Sequence, residues 1–171
     1  SRFAIEGAFS DHLRRLRRTM VGRFDGVRLV APVVGEEIYR ASPDSWKFID
    51  SNDEHIELVP MHDGNVGRRK YWLRHFLPNI VKLNSQIKEA SIVHAGPSHP
   101  FRPFAFVAIV LAVLHRKPTI YVVDIDQRNT PLMNLKAGRW SRKNYLLAKY
   151  VYVPILNLQT WLAVRFCSLV L

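Results

Sequence analysis

The chain has 171 residues, of which 48% are hydrophobic and 23% charged. This length fits one domain, and this composition is typical of a globular protein and excludes a disordered one. The single cysteine, Cys167, excludes an internal disulfide and a cysteine-based metal cluster, and it indicates a reducing compartment. The net charge of +11 favours an anionic partner, such as nucleic acid, a phosphorylated substrate or an acidic membrane surface.

The two ends of the chain indicate a fragment. The chain begins at Ser1 with neither an initiator Met nor the apolar stretch of a signal peptide. It ends on the apolar residues 168–171, without a polar exit. We therefore expect a trimmed piece of a cytoplasmic protein, and a first strand can lie outside the sequence.

The pattern of apolar residues predicts helices that alternate with strands. In chain order we expect helix 6–23, strand 27–32, an ambiguous connection 35–53, strand 55–60, helix 68–90, strand 91–95, helix 101–115, strand 119–123, helix 144–164 and strand 166–171. Pro78 and Pro154 predict kinks in their helices. The helix at 101–115 is apolar nearly all round, which predicts burial against a sheet.

This alternation predicts βαβ units. We expect an α/β fold with a Rossmann-like, doubly wound, mostly parallel sheet and helices on both faces, forming one domain over residues 1–171. Ligands of such sheets bind beyond the carboxyl ends of the strands. That rule predicts candidate sites in three segments: the opening residues 1–9, the turn at 94–101 and the loop at 124–129.

The loop at 124–129 carries two carboxylates and an arginine. Asp124 and Asp126 follow a buried strand, where a carboxylate can orient a hydroxyl for attack, and Arg128 can bind a phosphate. The alternative is that Asp124 or Asp126 caps the following turn. Because the two aspartates are one residue apart, we expect only one to face a ligand.

The turn at 94–101 carries two histidines. His94 ends a strand and His99 lies in the turn, where an imidazole can contact a ligand or transfer a proton. The alternative for His94 is a hydrogen bond to the backbone at the edge of the core. Ser98 and Arg102 flank the start of the next helix, which favours anions, although Ser98 can simply cap that helix. The spacing of the histidines predicts no metal site.

Residues 90–97 and 117–124 resemble the N-terminal domain of retaining glycosyltransferases with the GT-B fold, of the family 4 type. Those enzymes show a strand ending in a His-x-His-like turn, an apolar helix, Gly-Lys-Pro, and a strand ending in a Thr-x-His-Asp-like loop. His94 and Lys117-Pro118 match this pattern, while Gly96 replaces the second histidine and Asp124 falls where the second motif carries histidine.

The resemblance implies the sugar-acceptor half of an enzyme. It implies Asp124 and His94 as catalytic residues. It implies substrate contacts by the remaining candidates, namely Arg128, His99, Asp126, Ser98, Arg102, Glu6 and Gly7. Glu6 and Gly7 precede the first helix, in a region that faces the cleft between the family's domains, although a carboxylate there can also be an ordinary feature of a helix start. The nucleotide-sugar donor belongs to a C-terminal domain outside this sequence, so we expect no cofactor here and an inactive fragment.

The basic clusters support a second hypothesis, a binding module without catalysis. Residues 14–18, 68–74 and 139–143 are rich in arginine and lysine and lie near Trp72, Trp140 and Tyr145. Basic residues beside such aromatics suit an anionic membrane surface, although a solvated face is the usual explanation. No nucleic-acid recognition motif accompanies the charge. No glycine fingerprint of a dinucleotide-binding oxidoreductase is present, which disfavours that third class.

Overall fold

The computed structural model describes residues 2–20, 22–41, 43–123, 126 and 129–171. These residues form helices and short strands in alternation, which confirms the α/β class. The chain divides into two compact units, Ser1–Lys70 and Tyr71–Leu171.

The first unit contains two pairs of strands. Its elements are β1 Arg2–Glu6, α1 Gly7–Met20, β2 Val27–Val33, α2 Glu36–Ala41, a 3-10 turn Pro43–Ser45, β3 Trp46–Asp50, α3 Ser51–Glu54, β4 Ile56–Asp63 and α4 Arg68–Lys70. β1 pairs with β3 antiparallel, and β2 pairs with β4 parallel. A core of Leu13, Ile49 and Ile56 lies between α1 and these strands. The strands predicted at 27–32 and 55–60 are thereby confirmed.

The prediction that the chain opens on a helix is wrong. Residues 2–6 form β1, which runs from Arg2 opposite Asp50 to Glu6 opposite Trp46. Its alternate residues Phe3 and Ile5 pack against the core, as period-two burial requires. Its partner β3 comes from the connection that the sequence left ambiguous, so the pattern offered no strand for it to pair with.

An ion pair joins α1 to β3. The Lys47 ammonium lies 2.9 Å from each carboxylate oxygen of Asp11. This hydrogen-bonded ammonium lowers the pKa of the Asp11 carboxyl below its ordinary value. The resulting stabilisation is present above pH 4 or so and is lost as the pH falls through the lowered pKa. Both side chains are about half exposed, so the contribution is small.

The second unit contains a three-stranded parallel sheet in the order β5-β6-β7. Its elements are a π-helical segment Tyr71–His75, α5 Phe76–Glu89, β5 Val93–Ala95, α6 Phe104–Leu114, β6 Thr119–Tyr121, α7 Thr130–Lys136, α8 Arg142–Leu147, a second π-helical segment Ala148–Tyr152, α9 Val153–Phe166 and β7 Leu169–Val170. Parallel pairing of these strands was predicted and is confirmed.

One face of this sheet forms the core of the second unit. Tyr121 is fully buried there against Ile109 of α6 and Ala163 of α9. Cys167 is half-buried and packs against the same cluster. On the other face His94 is exposed and Leu169 is 46% exposed. The described strands thus form three small sheets, and a single doubly wound sheet is not confirmed.

Both π-helical segments precede a proline. Proline has no N–H to donate to the carbonyl four residues earlier. That carbonyl belongs to Arg74 for Pro78 and to Tyr150 for Pro154, and both residues lie inside a π-helical segment. Each proline expected to kink a helix is therefore accompanied by a local widening of the helix, a known form of irregularity near functional sites.

The apolar residues of the segment predicted as helix 68–90 are divided between two faces. Leu83 and Ile87 are buried in α5, together with Asn79. Leu73, Leu77 and Val81 are about 70% exposed. Periodicity alone could not separate these faces, because both are apolar at helical spacing. Among the described residues, no helix is long and apolar enough to cross a membrane.

Candidate functional site

Three parallel strands of the second unit end at one edge of their sheet. Hydrogen bonds continue past the strands there: Val122 N–H donates to the Ala95 carbonyl at 3.0 Å, and Val123 N–H donates to the Leu171 carbonyl at 2.9 Å. The turn at 96–103 therefore emerges beside the segment that begins at Val122. This edge is where a parallel sheet binds its ligands.

Gly96 allows the two emerging segments to approach closely. A Cβ atom at position 96 would lie 2.8 Å from the Val122 carbonyl oxygen, which is backbone and has little room to move. The structure thus gives a steric reason for glycine at the position where the resembling family carries its second histidine.

The turn at 96–103 is held by α9 and α6. Gln159 of α9 is buried, and its side-chain amide accepts from Ser98 N–H at 3.1 Å and donates to the Ser98 carbonyl at 3.3 Å. The Ser98 hydroxyl accepts from Phe106 N–H in the first turn of α6, at 3.1 Å. Pro103 occupies the N-cap position of α6, and the Ser98 side chain serves one N–H of the first turn, as the alternative to a substrate contact expects.

Aromatic side chains surround the exposed end of this turn. The His99 ring lies 6.0 Å from the Phe101 ring and 5.3 Å from the Tyr152 ring, measured between centroids. Phe101 and Tyr152 meet edge to face at 5.6 Å. The Trp72 indole donates to the Phe101 carbonyl at 3.1 Å. We call these four residues the aromatic cluster, and it draws one residue from each π-helical segment.

His99 is the exposed polar member of the aromatic cluster. Its Nδ1 accepts a hydrogen bond from Phe101 N–H at 3.2 Å. An imidazole nitrogen that accepts carries no proton, so in the neutral ring the proton lies on Nε2. This hydrogen bond and the ring contacts hold the exposed imidazole in one orientation, beside aromatic faces that can pack against apolar ligand surface.

Of the predicted site residues in the 124–129 loop, the structure describes only Asp126. Asp124 and Arg128 lie outside the described residues. Asp126 is exposed, and its two carboxylate oxygens accept from Asn129, from N–H at 3.2 Å and from Nδ2 at 2.7 Å. Its carbonyl accepts from the Thr130 hydroxyl at 2.6 Å. Asp126 thus shows the capping geometry expected as its alternative role, at the start of α7.

The remaining candidates are dispersed. His94 lies inside β5 on the exposed face of the sheet, not in the turn that follows. Arg102 is half-buried, and its guanidinium partly offsets the rise in the pKa of the Tyr71 phenol that burial causes. Glu6 and Gly7 belong to the first unit, where Glu6 is exposed at the end of β1 and Gly7 begins α1. Among candidates in the described residues, only Ser98, His99 and Arg102 share one turn.

Sequence reasoning missed the residues that hold this turn. Gln159 interrupts an apolar helix, and a lone amide in such a helix was the available signal for a buried polar contact. Trp72 was interpreted as part of a basic interfacial cluster, whereas its indole anchors Phe101. Nothing in the pattern linked Tyr152 to residues fifty positions earlier. Within the described ranges, no group of three or more His, Cys, Asp or Glu could hold a metal ion.

Tyr121 of β6 gives a test of the core of the second unit. Its hydroxyl is buried, and burial raises the pKa of the phenol above its ordinary value, a rise that the Thr160 side chain offsets only in part. Tyr121→Phe is expected to keep the free energy of unfolding at pH 7 within about 1 kcal/mol of wild type. Above pH 10 or so the wild type should lose more stability than the variant, because the raised pKa disfavours the phenolate in the folded state. Urea titrations at pH 7 and pH 11 measure this, and equal losses would contradict it.

No family model matches this chain, and no curated protein and no solved structure matches it either.

Proposed function

We propose that this chain is the acceptor-side half of a glycosyltransferase, with a Rossmann-like arrangement of the GT-B kind. The observation that carries the proposal is the turn at 96–103, which presents the exposed imidazole of His99 at the carboxyl edge of three parallel strands. This turn begins at Gly96, within residues 90–97, which form one of the two segments that resemble family 4 glycosyltransferases. The proposal also includes a cytoplasmic location and a C-terminal donor domain that binds a nucleotide-sugar.

The turn is suited to binding an acceptor because it is pre-organised. Three side chains outside the turn hold its backbone or rings: Gln159, Trp72 and Tyr152. An imidazole that is already held in one orientation at His99 can contact an acceptor without first losing conformational freedom. The aromatic cluster offers apolar faces for the carbon skeleton of a sugar or for a lipid acceptor.

The proposed transfer joins an acceptor hydroxyl to the anomeric carbon of the donor sugar. The acceptor oxygen bonds to the anomeric carbon, and the bond between that carbon and a phosphate oxygen of the nucleotide breaks. The nucleotide, which keeps that oxygen, is the leaving group. The acceptor hydroxyl passes its proton to the leaving phosphate oxygen, and we assign the orientation of that hydroxyl to Asp124 and His94. We assign to Arg128 and Arg102 the binding of phosphate oxygens by their positively charged guanidinium groups.

Transfer of labelled sugar tests the proposal. The natural protein that contains this chain is incubated with radiolabelled nucleotide-sugars and with glycan and lipid acceptors. We expect labelled product, and we expect Asp124→Ala to lower kcat by about a hundredfold or more. His99→Ala, which removes one hydrogen bond and ring contacts, should lower kcat/KM about tenfold.

The matched control is His12→Ala, which removes an exposed histidine from the first unit. This variant should transfer sugar at the wild-type rate. Circular dichroism and thermal unfolding establish that each variant folds. Absence of label transfer from any nucleotide-sugar, or equal turnover by Asp124→Ala and wild type, would remove the proposal.

A further inference from the structure

The two units differ greatly in charge. Residues 1–70 carry twelve Lys and Arg side chains against eleven Asp and Glu. Residues 71–171 carry thirteen against three, a formal charge of +10. From residue 127 to residue 171 the chain has seven Lys and Arg and no Asp or Glu. Nearly all of the excess positive charge thus belongs to the second unit, and its last 45 residues contain no acid to neutralise it.

An exposed apolar stripe lies along this acid-free segment. Helical residues run without interruption from 142 to 166, a length of about 37 Å. The stripe consists of Pro154, Leu158, Trp161 and Val164 of α9, together with Tyr150 of the second π-helical segment before it. Tyr150 is 66% exposed, Leu158 54%, Trp161 52% and Val164 62%. The opposite face of α9 is buried through Gln159 and Ala163. We call this set the α9 stripe.

Cations lie directly over the aromatic rings of the stripe. The Arg165 guanidinium is 4.8 Å from the centroid of the Trp161 ring. The Lys149 ammonium is 5.3 Å from the Tyr150 ring and 5.9 Å from the Tyr145 ring. Arg139, Arg142 and Lys143 add further exposed charge at the start of α8. Aromatic rings beside Lys and Arg are the side chains that favour the headgroup level of a bilayer.

We infer that the α9 stripe docks on the surface of an anionic lipid bilayer. Exposed apolar side chains at helical spacing supply the part that enters the headgroup region, and the surrounding cations meet lipid phosphates. Charge complementarity favours this occupant over a second copy of the chain, because two acid-free surfaces of the same sign repel each other. Docking does not depend on sugar transfer, since it uses neither the turn at 96–103 nor Asp124.

Vesicle binding tests the inference. The protein is mixed with vesicles of phosphatidylcholine containing 30% phosphatidylglycerol and with vesicles of phosphatidylcholine alone, and the bound fraction is measured by flotation. We expect binding to the anionic vesicles, weaker binding to the neutral ones, and a marked loss when sodium chloride is raised from 0.1 to 1 M. The double variant Leu158→Ser, Trp161→Ser should lower the partition coefficient about tenfold or more.

Two further variants keep the outcome decisive. Lys149→Glu, Arg165→Glu leaves the apolar residues in place and should also reduce binding to the anionic vesicles. The matched control is Leu73→Ser, Leu77→Ser, which removes two even more exposed apolar residues from the helical stretch 71–89 and should bind as wild type does. Circular dichroism checks the fold of each protein.

Three results would overturn the inference. The first is the absence of vesicle binding by the wild type. The second is an equal loss of binding in the control and in the α9 stripe variants. The third is a dimer in size-exclusion chromatography that only the stripe variants dissociate, since that result would assign the surface to a second copy of the chain.

Discussion

Replacement of Gly96 by alanine is expected to lower the free energy of unfolding by about 2 kcal/mol, the range found when an atom is forced into a packed site. The new Cβ atom would lie 2.8 Å from the Val122 carbonyl oxygen. Real Cβ atoms do not approach so closely, so the backbone at 96 or at 122 must move. That movement would also loosen the hydrogen bond from Val122 N–H to the Ala95 carbonyl.

Gly67 provides the control for this substitution. Among the residues that the structure describes, and apart from its two chain neighbours, no atom lies within 4 Å of a Cβ built at Gly67. Gly67→Ala should therefore be neutral or slightly stabilising through the unfolded chain. Urea denaturation followed by circular dichroism measures both variants. If Gly96→Ala were as stable as Gly67→Ala, the close approach of the two segments would not exist in solution.

Replacement of Gln159 by leucine should lower the free energy of unfolding by about 3 kcal/mol. The amide makes two hydrogen bonds to the backbone of Ser98, and Gln159 and Ser98 are both buried. Leucine has a similar size but leaves the Ser98 N–H and carbonyl without these partners, and each such buried group costs about 1–3 kcal/mol. The same loss would free the turn that carries His99, so sugar transfer should fall as well.

Asn157 gives a matched control on the same helix. Its side chain is exposed, so Asn157→Leu should change stability by less than about 0.5 kcal/mol. Thermal or urea unfolding compares the two variants. Similar stability of Gln159→Leu and Asn157→Leu would show that the contact between Gln159 and Ser98 contributes nothing to the fold.

Long apolar patterns predicted the second unit well. The apolar run beginning at Thr119 forms β6, and the apolar helix before it forms α6, because both bury side chains against one core. Short elements were harder to predict. β1 and β3 each depend on the other for pairing, so neither segment shows its structure alone. α7, which begins at Thr130 beside Asp126, was not predicted at all.

The position of the candidate site could be predicted from the sequence, but the side chains that hold it in place could not. The rule about strand ends located the turn at 96–103, because that rule needs only the order of strands and helices. The groups that fix this turn come from Trp72, Tyr152 and Gln159, which tertiary packing brings to it from other helices. His94 shows the limit from the other side: the predicted strand end at residue 95 is correct, but His94 lies within the strand and on the exposed face of the sheet.

The two π-helical segments have a consequence for the evolution of this chain. Each contains wider turns than an α-helix, and each delivers one ring to the aromatic cluster, Trp72 from the first and Tyr152 from the second. Deletion of a single residue from either segment would restore an α-helical turn and rotate the residues before it by about 100° relative to the helix after it. Homologues should therefore tolerate substitutions in these segments while keeping their lengths fixed, so insertions and deletions should be confined to other parts of the chain.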